Sequence, residues 1–265
     1  MRNSEGIRFI SKGEGRPILM LHGLLVDHRS VLPFESVFGA DCGWRRVYID
    51  LPGMGQSPCG DIRNSDDMLA AIQGFIAREI GAPFAAFGYS YGGYLAQGLL
   101  AKGADLLGMG LLAPVVEAGF ENRQLPAMRV LERDEALLAR LSPARRAEFE
   151  AFRVLQTEVV FEGTMDELVP GFEIMDEAFI KRLQAAYAFS FPVDPLPELF
   201  NKPVMMVTGR QDHIVGFKDV FGLLPNYPRA QFSVLDRAGH NLQIEQRALV
   251  ETLFADWLGR MEKDL

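Results

Sequence analysis

Ser90 stands where a serine hydroxyl could act as a nucleophile. It lies at the centre of residues 88–92, of sequence GYSYG, and a further glycine follows at position 93. The glycines at positions 88 and 92 let the backbone pass closely from a strand into a helix, and this turn strains the serine. The N-terminus of the following helix favours negative charge that develops at the site. The motif therefore predicts a nucleophile held at the edge of the sheet, and the alternative is a glycine-rich turn whose serine only caps the helix.

A serine hydroxyl is a poor nucleophile until a base accepts its proton. We expect His240 to be this base, because residues 238–241 (AGHN) separate the last apolar run from the last helical pattern. Its alternative is a role as a helix cap. The other histidines carry different expectations: His22 supports its loop, His28 lies at the entrance or on the surface, and His213 adjoins the acid or is exposed.

A buried carboxylate beside the base would fix its tautomer and stabilise the imidazolium that forms. Asp212 is the leading candidate, since residues 209–212 (GRQD) directly follow an apolar run. Glu117, just after the run that ends at Pro114, could also be placed as the acid, and the sequence leaves this choice open. Asp236 is a weaker rival, because its position near the base in sequence fits a residue that only shapes the loop.

The attack would create an oxyanion, which needs two backbone N–H donors. One donor should be Tyr91, the residue after the nucleophile. The other should come from residues 22–25 (HGLL), which follow the first strong apolar run, and we assign it to Leu24. Gly23 would let this loop turn back without a Cβ clash.

Short apolar runs and helical patterns alternate along the chain, and they must position these residues. The runs predicted as strands are residues 16–23, 45–53, 83–90, 106–114, 202–209 and 230–236, and the predicted helices include residues 66–80, 91–102 and 242–261. Strands without polar alternation, separated by helices, predict a mostly parallel, doubly wound α/β sheet that is covered on both faces. The carboxyl ends of such strands share one edge, which is where ligands bind.

The alternation breaks between residues 115 and 199, which we call the insert. This stretch has a helical pattern, with a helix start at Ser142-Pro143 and a helix expected over residues 145–160. Its end, residues 191–200, contains three prolines that would stiffen the return to the sheet. We therefore predict a core domain of residues 1–114 and 200–265 and a helical cap of residues 115–199; the alternative is that these helices pack on the side of the sheet.

Together these motifs resemble the α/β-hydrolase superfamily. The resemblance is carried by the order of Ser90, Asp212 and His240, the His22-Gly23 loop, residues 50–57 (DLPGMGQS) and the late Gly239-His240 pair. It covers nearly the whole chain and implies the α/β-hydrolase fold, a nucleophile elbow at Ser90 and a cap domain. Met54 departs from the His or other polar residue that many members carry in that turn. A serine at position 90 disfavours the dehalogenase and epoxide-hydrolase branches, which use an aspartate.

The resemblance implies a carboxylesterase-like serine hydrolase. It would cleave an ester, or a related acyl bond, of a small molecule through a Ser-His-Asp triad and an acyl-enzyme. The expected mechanism uses no metal or organic cofactor, and the scattered histidines lack the spacing of zinc ligands. Specificity should lie in the cap, whose apolar bulk is Phe120, Phe152, Phe161, Phe172, Phe179, Tyr187 and Phe189. We expect most of these seven to pack inside the cap.

Three alternative functions remain at this stage. Residues 158–177 are rich in Asp and Glu, which predicts a solvated face or carboxylates that bind a substrate ammonium, as in proline-iminopeptidase-like members. A hydrolase of carbon–carbon bonds in dienoic ring-cleavage products would need a basic group, for which Arg123 and Arg129 are the candidates. A receptor or scaffold with this fold and little turnover is the third.

The composition of the chain excludes some classes of binding partner. The net charge of −8 argues against nucleic acid or an anionic membrane surface. The N-terminus lacks the apolar stretch of a signal peptide, and no segment approaches the roughly 20 apolar residues of a membrane span. We expect a cytoplasmic protein with reduced cysteines (Cys42 and Cys59) that acts on a small molecule; the sequence leaves open whether it forms a homodimer.

Overall fold

A mostly parallel sheet forms the centre of the protein. The structure, a computed structural model, describes residues 1–40 and 42–264. The strands are β1 (Arg2–Ser4), β2 (Ile7–Lys12), β3 (Arg16–Leu21), β4 (Trp44–Ile49), β5 (Phe84–Tyr89), β6 (Leu106–Leu112), β7 (Glu132–Arg133), β8 (Leu155–Gln156), β9 (Val204–Gly209) and β10 (Ala230–Leu235). In the described part of the chain, eight of them form one sheet in the order β1-β2-β4-β3-β5-β6-β9-β10. Only the pairs β1–β2 and β2–β4 are antiparallel.

The six predicted strands correspond to the parallel part of this sheet, which confirms the predicted fold class. The prediction missed β1 and β2, which form the antiparallel edge. In β2 the buried residues Ile7 and Phe9 alternate with more exposed ones, because one face of this strand packs on the core and the other faces solvent. Such a short alternating run lacks the continuous apolar character that identifies the central strands.

Helices cover both faces of the sheet. They are α1 (Ser65–Glu79), α2 (Tyr91–Ala101), α3 (Glu135–Arg140), α4 (Pro143–Phe152), α5 (Glu158–Glu167), α6 (Val169–Phe172), α7 (Glu177–Ala185), α8 (Lys218–Gly222), α9 (Leu242–Glu245) and α10 (Arg247–Glu262). On β5, Phe87 packs against α10, whereas the neighbouring Gly88 meets the backbone of α2. Successive strand residues face opposite sides, so α2 and α10 lie on opposite faces. None of the described helices has the length and apolarity to cross a membrane.

Aromatic side chains fill the layer between the sheet and α10. The Phe254 ring lies 4.9 Å from Phe34, 5.1 Å from Phe87 and 5.5 Å from Trp257, measured between centroids. The Trp257 indole N–H donates to the carbonyl of Pro203 at 3.1 Å, which satisfies its polar atom. Edge-to-face and tilted aromatic pairs add to the stabilisation that comes from burial. Phe254 is therefore a central packing residue of this layer.

The insert contains α3 to α7 and a two-residue parallel pair, β7–β8. The predicted helix over residues 145–160 was wrong, because the chain leaves the helix after α4, pairs through β8 and starts again at α5. The helix start at Ser142 agrees with the structure, since the Ser142 hydroxyl accepts the amide N–H of Arg145. The predicted final helix is also interrupted, at Gln246 between α9 and α10.

An ion pair between a buried glutamate and a partly exposed arginine joins the insert to the core. Glu167, at the end of α5, accepts a hydrogen bond from Arg247 of α10. The other carboxylate oxygen of Glu167, Oε2, is buried and has no partner among the described residues. Burial raises the pKa of Glu167 to about 7, although Arg247 acts in the opposite direction. The charged carboxylate is thus held at a cost to stability.

We expect Phe254→Ala to lower the free energy of unfolding by about 3–5 kcal/mol, because it leaves a cavity between the sheet and α10. Leu249→Ala on the same helix is the control, since Leu249 is 52% exposed whereas Phe254 is fully buried. Its effect should stay within about 0.5 kcal/mol. Urea denaturation of both variants measures the difference. Equal losses would contradict the central role of the aromatic layer.

The raised pKa of Glu167 predicts a pH dependence of stability. The folded state keeps a proton that the unfolded state releases near pH 4.5, so this contribution is present at low pH and is lost as the pH rises through about 7. Between pH 5 and pH 8, wild-type stability should fall relative to Glu167→Gln by on the order of 2–3 kcal/mol. Denaturation of both proteins at the two pH values measures it, and Glu162→Gln on the exposed face of α5 is the control. Parallel pH curves for wild type and Glu167→Gln would contradict the assignment.

Candidate active site

The turn between β5 and α2 places Ser90 at the carboxyl edge of the sheet. Ser90 has φ 54° and ψ −114°, a backbone conformation that L-residues rarely adopt. The residues two positions before and two positions after Ser90 must be glycine. A Cβ on Gly88 would overlap the Gly92 carbonyl, and a Cβ on Gly92 would overlap the carbonyl of Leu21. Strain of this kind persists only where the surrounding structure enforces it, and it often marks functional sites.

Ser90, His240 and Asp212 form a hydrogen-bonded chain at this edge. The Ser90 Oγ lies 2.9 Å from His240 Nε2, and His240 Nδ1 lies 2.9 Å from Asp212 Oδ2. Asp212 is fully buried, and its Oδ1 accepts the amide N–H groups of Ile214 and Val215 at 2.9 and 3.0 Å. A carboxylate held in this way can only accept, so His240 donates from Nδ1 and offers Nε2 to the serine hydroxyl. The arrangement can therefore transfer the serine proton to an oriented base.

The two rival carboxylates lie elsewhere. Glu117 Oε1 accepts the amide N–H of Gly119 at 3.0 Å, which places it in its own loop. Asp236 accepts the side-chain amide of Gln211 at 2.8 Å, and the Gln211 carbonyl oxygen accepts the N–H of Ala238 at 3.1 Å. Asp236 therefore shapes the histidine loop, as expected of the weaker rival. Among the three candidates, the structure brings only Asp212 to His240.

A buried carboxylate that the sequence prediction missed holds the loop of His240. Glu245 Oε2 accepts the N–H of Gly239 at 2.6 Å, and its Oε1 accepts the N–H of Val154, in the insert, at 2.9 Å. Burial raises the pKa of Glu245, and these N–H donors oppose that rise. In the sequence Glu245 looks like one more polar position in a long amphipathic helix, so no local signal identifies it.

The two predicted oxyanion donors lie beside Ser90. Tyr91 is the first residue of α2, and Leu24 lies in the loop after β3. Neither amide N–H hydrogen-bonds to another residue within the described ranges. An added Cβ at Gly23 would stand 3.2 Å from the Ser90 Cβ, so this loop passes directly against the serine. Their role as an oxyanion hole stays a prediction that this placement supports.

The remaining histidines serve the surrounding loops or lie beside the site. His22 is buried, donates to the Gly23 carbonyl at 2.7 Å and accepts the N–H of Leu51 at 2.8 Å. Burial lowers the pKa of His22, which keeps its ring neutral. His213 is half-buried, and its ring stacks 6.3 Å from the ring of Phe152. These positions agree with the structural role expected for His22.

His28 belongs to a buried polar cluster, so its predicted position at the entrance or on the surface was wrong. The His28 Nδ1 lies 2.7 Å from Asp50 Oδ1, and Asp27 lies close enough for the three residues to be considered as metal ligands. Asp27 is already engaged, because it binds the guanidinium of Arg29. Asp50 also accepts backbone N–H groups of His28 and Gln56. Their present bonds therefore account for the cluster as a brace between loops.

A cavity of about 780 Å³ opens in front of Ser90, between the core and the insert. The insert contributes six aromatic side chains to its wall, Phe120, Phe149, Phe152, Phe161, Phe172 and Tyr187. The expectation that most of the seven predicted aromatic residues only pack inside the cap was wrong, because five of them line the cavity. The other two lie elsewhere: Phe179 packs against Gly53, and Phe189 stacks on Tyr94 at 4.3 Å. We call residues 158–177 the acidic stretch. The described lining contains none of its seven acidic residues, Glu158, Glu162, Asp166, Glu167, Glu173, Asp176 and Glu177.

Comparison with known proteins agrees with this geometry. The model of the Alpha/beta hydrolase family matches residues 18–252. The structure of an alpha/beta superfamily hydrolase from Oenococcus oeni PSU-1 is 30% identical, has a TM-score of 0.88 and aligns over 97% of each chain. A search of curated proteins gave no significant sequence match.

Two solved esterases share the fold at lower identity. The esterase EaEST from Exiguobacterium antarcticum is 15% identical with a TM-score of 0.74, over 96% of this chain and 95% of that one. The esterase RhEst1 from Rhodococcus sp. ECU1013 is 19% identical with a TM-score of 0.73, over the same shares. At these identities the likeness shows the fold alone.

Glu245→Gln tests the support of the histidine loop. A glutamine offers one acceptor in place of two, and its NH₂ group would face an amide N–H, so we expect a loss of about 1–3 kcal/mol in stability. The reaction of Ser90 with a fluorophosphonate should slow by on the order of 10-fold, because small displacements of a base are costly. Glu251→Gln, which keeps an acceptor for the exposed Ser36 hydroxyl, is the control. Unchanged labelling by Glu245→Gln would show that the loop does not depend on this carboxylate.

Proposed function

The chain belongs to the alpha/beta hydrolase family, and from that premise we propose that it is a carboxylesterase-like serine hydrolase acting on a small molecule. The observation that carries this proposal is the chain of 2.9 Å contacts from Ser90 through His240 to Asp212 at the floor of the cavity. In this proposal Ser90 is the nucleophile, His240 the base and Asp212 the acid that orients it. The family match makes the protein a hydrolase, and the ester substrate is our inference.

The proposed reaction has two stages. Ser90 attacks the ester carbonyl while His240 accepts the hydroxyl proton at Nε2, and the buried Asp212 stabilises the resulting imidazolium. The oxyanion of the tetrahedral intermediate accepts the N–H groups of Leu24 and Tyr91. His240 then protonates the departing alcohol. In the second stage, His240 activates a water that attacks the acyl-enzyme, and Ser90 regains its proton.

We propose that the insert, residues 115–199, acts as the cap that selects the substrate. Its aromatic side chains face the cavity opposite Ser90, so they would contact the acyl or alcohol part of a bound ester. A cavity whose lining surface is largely apolar favours apolar groups, and its polar lining residues would fix their orientation.

The iminopeptidase alternative has less support. It requires a cap carboxylate for the substrate ammonium, and no acidic residue of the acidic stretch belongs to the described lining of the cavity. The carboxylates that do line it are Glu121 and Glu148, and Glu148 is bound to Arg145 at 2.9 Å. A carbon–carbon hydrolase would need a basic group for its substrate carboxylate, and arginines do line the cavity. An arginine binds the carboxylate of an ester equally well, so this observation does not favour carbon–carbon cleavage over ester hydrolysis.

The proposal predicts an activated serine. Hydrolysis of p-nitrophenyl butanoate should fall by on the order of 10³-fold or more in Ser90→Ala and in His240→Ala, measured as kcat/KM. Asp212→Asn should lose activity by a similar order, because the wrong histidine tautomer is then favoured. Glu117→Gln is the control and should retain activity. A fluorophosphonate should add once, on Ser90, as read by intact mass and peptide mapping.

The outcomes separate the candidates. No adduct and no ester turnover by correctly folded protein would overturn the esterase proposal. Loss of activity in Glu117→Gln with retention in Asp212→Asn would overturn the assignment of the acid. Faster turnover of proline p-nitroanilide than of the ester would favour the iminopeptidase.

A further inference from the structure

Arg153 is a buried cation in the short segment between α4 and β8. It follows the last residue of α4 and is only 5% exposed. Its Nε donates to the Thr164 hydroxyl at 2.9 Å, and that hydroxyl donates in turn to the Val160 carbonyl. This leaves the two terminal amino groups of the guanidinium, which carry four of its five N–H donors.

These terminal groups have no protein counter-ion. Within residues 1–40 and 42–264, no carboxylate forms an ion pair with Arg153. Among the carboxylates, Glu245 exerts the strongest attraction on Arg153, but it forms no ion pair with it, and its two oxygens accept the N–H groups of Gly239 and Val154. The other arginines of the cavity wall differ, because Arg123 donates to three backbone carbonyls and Arg145 binds Glu148.

The unpaired end of Arg153 faces the cavity. Arg153 is one of the residues that line it, and its terminal amino groups neither bond to a described residue nor belong to the fully enclosed, unpartnered polar atoms. The cavity is the same one that contains Ser90 and His240. Residue 154 also approaches the histidine loop, since an added Cβ at Gly239 would lie 2.8 Å from Val154 Cγ2.

A buried, unpaired cation destabilises a fold, so its presence calls for a reason. Burial lowers the pKa of Arg153, which reflects this unfavourable environment, yet an arginine stays charged at neutral pH. A planar guanidinium with free N–H groups matches the geometry of a carboxylate, which it can bind with two parallel hydrogen bonds. The charge would then be neutralised only when a ligand is bound.

We propose that Arg153 binds a carboxylate of the substrate, so that the preferred ester is one whose acyl or alcohol part carries a carboxylate a few carbons from the scissile bond. This inference rests on the proposed function of the same site. It assigns to Arg153 the role that the sequence analysis offered to Arg123 and Arg129; Arg123 is occupied by carbonyls, and Arg129 is outside the described lining.

The test compares charged and neutral esters of equal length. Mono-p-nitrophenyl adipate is matched with p-nitrophenyl hexanoate for the acyl side, and 4-carboxyphenyl butanoate with phenyl butanoate for the alcohol side. Wild-type kcat/KM should favour the carboxylate ester in one of these pairs by at least about 10-fold. In Arg153→Met this preference should fall to about 1, mainly through KM, and Arg153→Lys should restore part of it. The control is Arg146→Met. Arg146 lies in α4, just before Arg153 in the chain, but outside the cavity lining, so this variant should keep the wild-type preference.

A binding measurement keeps the test independent of turnover. Ser90→Ala should bind monomethyl adipate more tightly than methyl hexanoate by calorimetry, and the added Arg153→Met substitution should remove this difference. Arg153→Met should also melt at the same temperature as wild type or higher, because it removes an unpaired buried charge. This result distinguishes a binding residue from a structural one, whose loss would destabilise the fold.

The outcomes for the two proposals are distinct. Hydrolysis of neutral esters with no preference for a carboxylate in either pair would overturn the role of Arg153 and leave the esterase proposal intact. Equal losses on charged and neutral esters in Arg153→Met, with a lower melting temperature, would assign Arg153 a structural role instead. Hydrolysis of no ester would overturn the esterase proposal, and the monomethyl adipate measurement would then decide on Arg153 by itself.

Discussion

The close approach of three backbone segments at Ser90 is the constraint on which the site depends. Glycines at 88 and 92 let β5 and α2 come within contact of each other and of the carbonyl of Leu21 at the end of β3. This contact holds Ser90 at a positive φ and also brings the loop of Leu24 beside the serine. Because the strain is imposed by packed strands, the position of Ser90 follows from the stability of the sheet itself.

His240 is held differently, through a carboxylate of the core that also binds the insert. Glu245 accepts one N–H from the loop of His240 and one from the insert, so the catalytic loop and the insert share a single buried anchor. Tyr89 adds a second tie, since its hydroxyl donates to Asn241 at 2.8 Å. A change in the position of the insert would therefore be transmitted to the loop that carries His240. Under the proposed function, this geometry would couple selection of the substrate by the insert to the orientation of His240.

Three buried charged residues lie where the insert meets the core. Glu245 satisfies its oxygens with backbone donors, Glu167 shares one oxygen with Arg247, and Arg153 has only Thr164. Each step in this series leaves more charge uncompensated, and uncompensated charge lowers stability. The aromatic layer under α10 supplies the opposing contribution, because it buries large apolar surfaces against the sheet. The fold can thus tolerate costly polar groups beside its cavity.

The sequence alone determined the parallel sheet, the turn of Ser90 and the candidates Asp212 and His240, because these are local patterns: continuous apolar runs, glycine spacing and residues at strand ends. It could not decide between Asp212 and Glu117, since both follow strands, and only the folded chain shows which carboxylate reaches His240. The break between α4 and α5 also came from tertiary structure, where β8 pairs with β7 and the N–H of Val154 binds Glu245. The sequence also offered no basis for predicting the roles of Glu245 and Arg153. Their importance comes from partners, or the lack of them, distant along the chain, and burial without local periodicity leaves no pattern to recognise.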